Sequence, residues 1–328
     1  MKLTQSLTFD DVLIRPGYSN VLPREVDTKT KFSSDIDINI PIISAAMDTV
    51  TEAKLAISIS QSGGIGVIHK NNSIEEQVAE VTKVKKYESG MVVDPVTISV
   101  DAKLYHLIEL KKKFNISGFP VVDKNKRVVG IITNRDVRFS KNLQQPIKEL
   151  MTKKSLITSE KGISKTKASY ILRKNKIEKL IIIDKQHRCI GLITVTDIEK
   201  SEKYPLATKD NIGRLRAAAA VGVGLDCIDR SERLVKAGVD ALVLDTAHAH
   251  SSRVINRIKE LKKTFKDSVQ IIAGNIATTE GAAELIKYPI NGIKVGIGPG
   301  SICTTRVIAG VGVPQFSAIE EVYQKSKK

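Results

Sequence analysis

The sequence predicts an α/β protein: a parallel sheet of six strand-helix units, interrupted after the second unit by a duplicated module. Three observations carry this. Short apolar runs alternate with stretches of helical period, the pattern of parallel strands joined by crossover helices. That rhythm stops near residue 94 and resumes after about Tyr204. Between the two lies a segment that repeats at a constant offset of 61 residues, pairing Asp123 with Asp184, Gly130 with Gly191, Thr133 with Thr194 and Asp136 with Asp197.

The elements follow in order. "IPIISAAMDTV" (40–50) reads as a buried strand, and "TEAKLAISISQSGG" as a helix N-capped by Thr51 and stopped by glycine. "IGVIHK" is the second strand. Within the repeat, the helices "KLYHLIELKKKFN" and "KTKASYILRKNK" each precede a strand, a turn (Asp-Lys-Asn-Lys or Asp-Lys-Gln-His), a second strand and a helix opening at Thr-x-x-Asp. Two copies are too few for a solenoid, so they are expected to pack on each other as a pseudo-twofold pair. After it, "RLRAAAAVGVG", "ALVLDTAHAHS", "QIIAGNIAT" and "GIKVGIGPGS" read as strands. The stretches "CIDRSERLVKAG", "SRVINRIKELKKTF" and "TEGAAELIKYP" between them have helical period. The expected division is 1–93, 94–200 and 201–328, with the first and last forming one sheet domain.

Bulk properties narrow the function. At 328 residues the chain holds about two domains. Its three cysteines, Cys189, Cys227 and Cys303, are far apart and in no metal-ligand spacing, which fits a reducing compartment and disfavours structural zinc. The start "MKLTQSLTFDD" has no apolar signal core, and no run of about 18 apolar residues occurs. A soluble cytoplasmic protein is expected. The net charge is +16, but the lysines are scattered along helix faces and aromatic residues make up only 4%. Without a stacking platform beside a basic stripe, there is no specific nucleic-acid signal and no membrane signal.

Chemistry concentrates in "GIGPGSICTTR" (296–306). A cysteine beyond the C-terminal end of a parallel strand sits where such sheets place reacting groups. Glycines there let backbone groups approach a ligand or cation closely. A lone thiol is by default a small core group; the glycines, the hydroxyls and Arg306 together make Cys303 a candidate nucleophile. The glycine spacing is not the dinucleotide fingerprint, because the third glycine comes too early and no helix is expected directly after Cys303 to receive a pyrophosphate. Asp245 and Thr246 end one strand and Asn275 another, so all face the same rim as Cys303. Asp245 suits a ribose or amide partner. His248 and His250 lack a third ligand and are expected to be hydrogen-bonded structural residues. Thr133 with Asp136 and Thr194 with Asp197 fit either helix N-caps or ribose-binding pairs.

These motifs, with "LTFDDVLIRP", "SAAMDTVTE", "GGIGVIHKN" and "AGVGVPQ", strongly resemble the IMP dehydrogenase family over residues 7–322. The resemblance implies a (β/α)8 TIM-type barrel with a paired cystathionine-β-synthase-type (Bateman) module inserted after its second unit. It implies that Cys303 attacks C2 of the purine of IMP, that hydride passes to NAD, and that water, assisted by Thr305, releases XMP. Asp245, Thr246, Asn275, Gly296, Ile297, Gly298 and Arg306 would contact NAD. Ser301, Met47, Asn275 and Arg306 would hold IMP, and carbonyls of Gly298, Gly300 and Cys303 would hold potassium. Thr133, Asp136, Thr194 and Asp197 would bind a purine nucleotide, and the family is usually a homotetramer. GMP reductase shares the glycine-cysteine loop but normally lacks the inserted pair. A nucleotide sensor without turnover is the third reading.

Against this pattern, six units are present where the family has eight, and the sheet domain is shorter than the ~250 residues typical of such barrels. The chain alone is therefore expected to turn over little IMP and to dissolve poorly. Ala217-Ala218 and Ala249 stand where the family usually has Val-Gly and Gly; a left-handed backbone there would be strained.

Overall fold

The computed structural model describes residues 5–87, 92–93, 95–114, 116–154, 156–301 and 303–327. Two compact units result: Met1–Tyr87 with Leu206–Asp210 and Leu215–Lys328, and Glu88–Pro205 with Asn211–Arg214. Among the described residues no helix is long and apolar enough to cross a membrane.

The first unit is built on six parallel strands: β1 (Ile43–Ser44), β2 (Ile65–Ile68), β3 (Ala218–Val221), β4 (Ala241–Asp245), β5 (Gln270–Ile276) and β6 (Gly292–Val295). Each strand pairs with its successor, so spatial order follows chain order and β1 and β6 are the edges. That is the connectivity of a (β/α) barrel wall. Between the strands run α1 (Ala53–Gln61), α2 (Ile74–Tyr87), α3 (Cys227–Lys236), α4 (Ser252–Phe265) and α5 (Thr279–Leu285). After β6 come the short α6 (Thr304–Ala309) and α7 (Gln315–Ser326).

Alternation along the strands separates two cores. Ala217, Ala219, Val221, Leu242, Leu244, Ile271 and Ala273 belong to the cluster that includes the helices' apolar faces. Their neighbours Ala218, Ala220, Ala241, Val243 and Ile272 point the other way, onto Ile36 and Ile38. Those two isoleucines come from a hairpin, Thr30–Ser33 with Ile36–Ile38, that the sequence reading missed. It closes over the inner face and is tied down where Ser34 donates to the Asn291 carbonyl at 2.9 Å and Asn291 Nδ2 to Ser34 Oγ at 2.9 Å.

Several expectations need correction. The first strand shrinks to two residues because the Asn39 and Ile40 amides both turn to the Gly63 carbonyl, and residues 45–51 fold into a turn. Thr51 does not cap α1: its hydroxyl donates to the Ala45 carbonyl at 2.5 Å. The N-cap position is Glu52, while Glu80 from α2 accepts the Ala53 amide at 2.7 Å. Ala217, Ala218 and Ala249 are fully buried and none has positive φ, so the expected backbone strain does not exist.

The second unit shows the duplication in its hydrogen bonds. Gly118–Val122 pairs antiparallel with Val128–Thr133, and Lys179–Ile183 with Cys189–Thr194, in registers offset by the same 61 residues and with a bulge at the same place. In each turn one aspartate collects two amides, Asp123 those of Asn125 and Arg127, Asp184 those of Gln186 and Arg188. Lys126 (φ 61) and His187 (φ 59) occupy equivalent left-handed positions. Arg127 bridges antiparallel to its own equivalent, Arg188. A residue that pairs with its counterpart lies beside a local twofold axis, so the two copies face each other. Val128 and Ile131 pack there on Ile181, Ile183 and Leu192.

Thr133-Asp136 and Thr194-Asp197 form capping boxes. Asp136 Oδ2 accepts from the Thr133 amide (2.6 Å) and hydroxyl (2.7 Å), and Asp197 Oδ2 from those of Thr194 (3.0 and 2.7 Å).

Candidate functional site

The C-terminal ends of β4, β5 and β6 assemble one group. Asp245 closes β4 opposite Gly274 of β5, and Gly274 lies opposite Lys294 of β6. Lys294 Nζ therefore reaches across and donates to Asp245 Oδ1 at 2.6 Å. A side chain at Gly274 would collide with this arrangement, since a Cβ there would stand 2.5 Å from that of Lys294. Asn275 is the extra residue of a bulge in β5, a device that re-aims a side chain at a strand end. Its amide donates to the Thr246 carbonyl, Thr246 Oγ1 donates to the Gly274 carbonyl at 2.8 Å, and Asn275 Oδ1 is buried without a hydrogen-bond partner.

Beyond β6 the chain forms a clamped loop. Gly296 (φ 135) and Gly298 (φ 82) take conformations that favour glycine. At Gly298 a Cβ would meet Gly312 Cα at 2.8 Å, so the returning segment 311–315 lies directly on the bare backbone. Val313 donates to the Ile297 carbonyl (2.9 Å) and Gln315 Nε2 to the Val295 carbonyl (3.1 Å). The N-terminal segment joins this flank: Leu7 and Ser317 exchange hydrogen bonds, and Phe9 meets Phe316 edge-on at 5.9 Å. A cavity of about 350 Å³ remains between Thr8, Phe9, Asp10, Arg306 and the loop.

Cys303 sits at the N-cap position of α6, partly exposed, its amide donating to the Gly300 carbonyl at 3.0 Å. The Thr305 hydroxyl and then its backbone amide hold the Cys303 thiol below the ordinary cysteine range, burial opposing them and the Arg306 and Gly298 amides adding to them. The Cys227 thiol, by contrast, is pushed up by burial. The helix directly after Cys303 corrects the sequence expectation that none would follow. Gly310, left-handed at φ 64, ends it.

The other expected site residues divide clearly. Asp245, Thr246 and Asn275 are brought together, and Gly296, Ile297, Gly298, Gly300, Ser301 and Cys303 lie on one loop that runs directly into α6, which carries Thr305 and Arg306. Ser301 and Arg306 are exposed. Met47, 40% exposed, lies on the same rim but after β1, the opposite edge of the sheet. His248 and His250 are exposed, with rings 6.2 Å apart, and none of the hydrogen bonds among the described residues uses their side chains, contrary to the structural role expected. Among the described residues no cluster could hold a transition metal. Sequence reading missed Lys294; its signal was a lysine inside an otherwise apolar strand next to the glycine run.

One prediction follows from the thiol's donors. A depressed pKa means that the thiolate is already present at a pH below the usual thiol range and is lost as pH falls through the lowered value. Thr305→Val removes the largest cause and leaves the amides, so the pH midpoint of Cys303 alkylation should rise and the rate at neutral pH should fall. An unchanged midpoint would show that the hydroxyl does not act on the sulfur.

The parallel strand ends thus carry an ion-paired aspartate after β4 and a partly exposed cysteine on the loop beyond β6, the arrangement of an α/β protein that gathers its polar groups at one rim of a parallel sheet. Comparison gives the family: residues 6–328 match the family model for the IMP dehydrogenase / GMP reductase domain, and the chain belongs to that family of nucleotide oxidoreductases. Proteins named inosine-5'-monophosphate dehydrogenase are similar throughout. That of Aquifex aeolicus is 52% identical over 100% of this chain and 67% of its own length; that of Rhizobium tropici is 52% identical over 98% and 65%. This chain thus spans about two thirds of the length of these relatives. Among solved structures, a GMP reductase of Trypanosoma brucei in complex with guanosine 5'-triphosphate superposes with a TM-score of 0.87, at 38% identity, over 99% of this chain and 79% of that one.

Proposed function

We propose that this chain carries the chemistry of IMP oxidation to XMP with NAD, in guanine nucleotide synthesis. The observation that carries the reading is the position of Cys303, partly exposed at the N-cap of α6 just after the left-handed Gly296 and Gly298 beyond β6, with its thiol held below the ordinary range. The thiolate adds to C2 of the purine, forming an S–C bond, and C2 gives up hydride. NAD, when bound, supplies the hydride acceptor. Water then adds at C2 of the resulting thioimidate, the S–C bond breaks, and XMP leaves with the thiol restored. Thr305 assists that water step.

The surrounding groups fit the ligands. Asp245 and Thr246 offer oxygens to the hydroxyls and amide of NAD, and Asn275 Oδ1 is a buried acceptor lacking a donor. Gly296, Ile297 and Gly298 present backbone to the nicotinamide side. Ser301 and Arg306 are exposed for the IMP phosphate and its neighbours, and Met47 for the purine. Carbonyls of Gly298, Gly300 and Cys303 would supply neutral oxygen ligands to a potassium ion, whose charge would order the loop. In the duplicated unit, read as a cystathionine-β-synthase-type pair, a purine nucleotide would meet the Thr133-Asp136 and Thr194-Asp197 boxes. A cytoplasmic homotetramer completes the reading.

GMP reductase is the second reading, supported by the solved structures. Their alignment over 99% of this chain takes in the duplicated segment, so possession of that segment does not separate the two activities. The higher identity to proteins named for the dehydrogenase favours IMP oxidation. The test is a single-turnover comparison. IMP with NAD should form reduced nicotinamide stoichiometric with the chain, while GMP with NADPH should consume none. The reverse pattern would assign the reductase.

A further inference from the structure

The turn after β1 and the end of β2 hold an arrangement that the reaction above does not use. His69 follows β2 on the strand-end rim and is 3% exposed. Its Nδ1 accepts the Asn71 amide at 3.1 Å, which places the ring proton on Nε2. That Nε2–H is buried and has no hydrogen-bond partner. The nearest acceptors, Asp48 Oδ1 and Glu52 Oε1, both stand 3.7 Å away, just beyond bonding distance. Asp48 belongs to the turn that carries Met47, and Glu52 follows that turn at the N-cap of α1.

That turn is held from the β2 side and is itself unrelaxed. Asn71 Nδ2 donates to Asp48 Oδ2 at 2.5 Å, and the His69 amide donates to the Thr51 carbonyl at 3.2 Å. Between them Thr49, a β-branched residue, sits at φ 58, a left-handed conformation it does not favour. A sealed donor without an acceptor is costly, and a small inward movement of Asp48 would supply one.

We propose that His69 is a positioning residue for the purine nucleotide: its Nε2–H donates to the Asp48 carboxylate when the Met47–Thr49 turn closes on bound nucleotide. This rests on the reading that Met47 touches IMP. A turn that closes gains the missing hydrogen bond, so nucleotide and His69 favour the same conformation. Glu52, exposed at the start of α1, is the other acceptor within reach and takes the donor if Asp48 does not.

Two substitutions separate the ring's two nitrogens. His69→Asn keeps an acceptor near the Nδ1 position and loses the distal donor; His69→Gln keeps a donor near the Nε2 position and loses the acceptor. Titration of the 328-residue chain with IMP should show affinity about tenfold weaker or more for His69→Asn, the scale of one hydrogen bond to a charged group. His69→Gln should stay within about threefold, since it retains that bond. Alkylation of Cys303 without nucleotide should be unchanged in both, which a general loss of structure would not permit. Equal affinities for unaltered chain and His69→Asn, or equal losses in both variants, would overturn the proposal. A measurement without substitution guards against a variant that fails to fold: in chain labelled with ¹⁵N-histidine, saturating IMP should move the His69 Nε2–H proton resonance downfield and slow its exchange. No change there also overturns it. If the unaltered chain binds no IMP, the functional reading fails first, and this one with it.

Discussion

Lys85→Ala should destabilise the barrel unit by about 3–5 kcal/mol, the cost of removing one partner from a buried ion cluster. Lys85 lies on the last turn of α2 and is 3% exposed. Its ammonium donates to Asp240 Oδ2 at 2.8 Å and Asp210 Oδ2 at 3.1 Å. Asp240 also accepts from Arg216 at 3.2 Å and from the Ala217 amide at 2.9 Å. The cluster joins the end of the segment before the duplicated unit to the segment that returns after it, beside the starts of β3 and β4. Without the lysine, two largely buried carboxylates lose the ammonium that both contact. Urea unfolding followed by circular dichroism reads the loss. Lys83→Ala, which breaks an exposed pair with Glu80 on the same helix, should cost under about 1 kcal/mol. Equal effects of the two substitutions would show that the cluster is not a structural anchor.

Gly298→Ala should make the Cys303 thiol less reactive at neutral pH. The residue has φ 82, and its new Cβ would meet Gly312 Cα at 2.8 Å and the Val311 carbonyl at 3.0 Å, both backbone atoms that cannot rotate aside. The left-handed backbone costs alanine about 1–2 kcal/mol before any collision. Relief requires lifting the 311–315 segment and turning the Gly298 amide away from the Cys303 sulfur. Alkylation of Cys303 should then shift to higher pH, and the Val313 amide should lose its protection from hydrogen exchange. Gly310→Ala isolates the backbone cost, because Gly310 is left-handed too (φ 64) but has nothing within 4 Å of its Cβ position. Matching behaviour of the two variants would refute a steric role for the Gly298–Gly312 contact.

What the sequence made legible was whatever recurs or alternates. The duplicated unit announced itself through a constant offset, and strand registers, turn aspartates and capping boxes all obey it. The six strands were legible because their apolar runs are short and separated by long helical periods. The glycine-cysteine loop stood out because bare backbone beside a thiol has few structural uses. Side-chain meetings set by register were not legible. Lys294 finds Asp245 only because β5 places Gly274 between them, and His69 faces Asp48 and Glu52 only because the turn after β1 folds back on β2. The hairpin at residues 30–38 is too short for periodicity to separate from its loop. Helix α6 was hidden because its six residues, Thr-Thr-Arg-Val-Ile-Ala, include four β-branched ones of low helix propensity. The Cys303 position and the Gly310 cap form it instead.

The proposed covalent chemistry at Cys303 is tested most directly by the mass of the Cys303-containing peptide after the purified chain is mixed with IMP and NAD and quenched. A purine nucleotide adduct is expected on that peptide, with reduced nicotinamide formed in equal amount and both signals absent from Cys303→Ala. Reduced nicotinamide without mass on Cys303, or neither signal in a chain that binds both ligands, would contradict that chemistry.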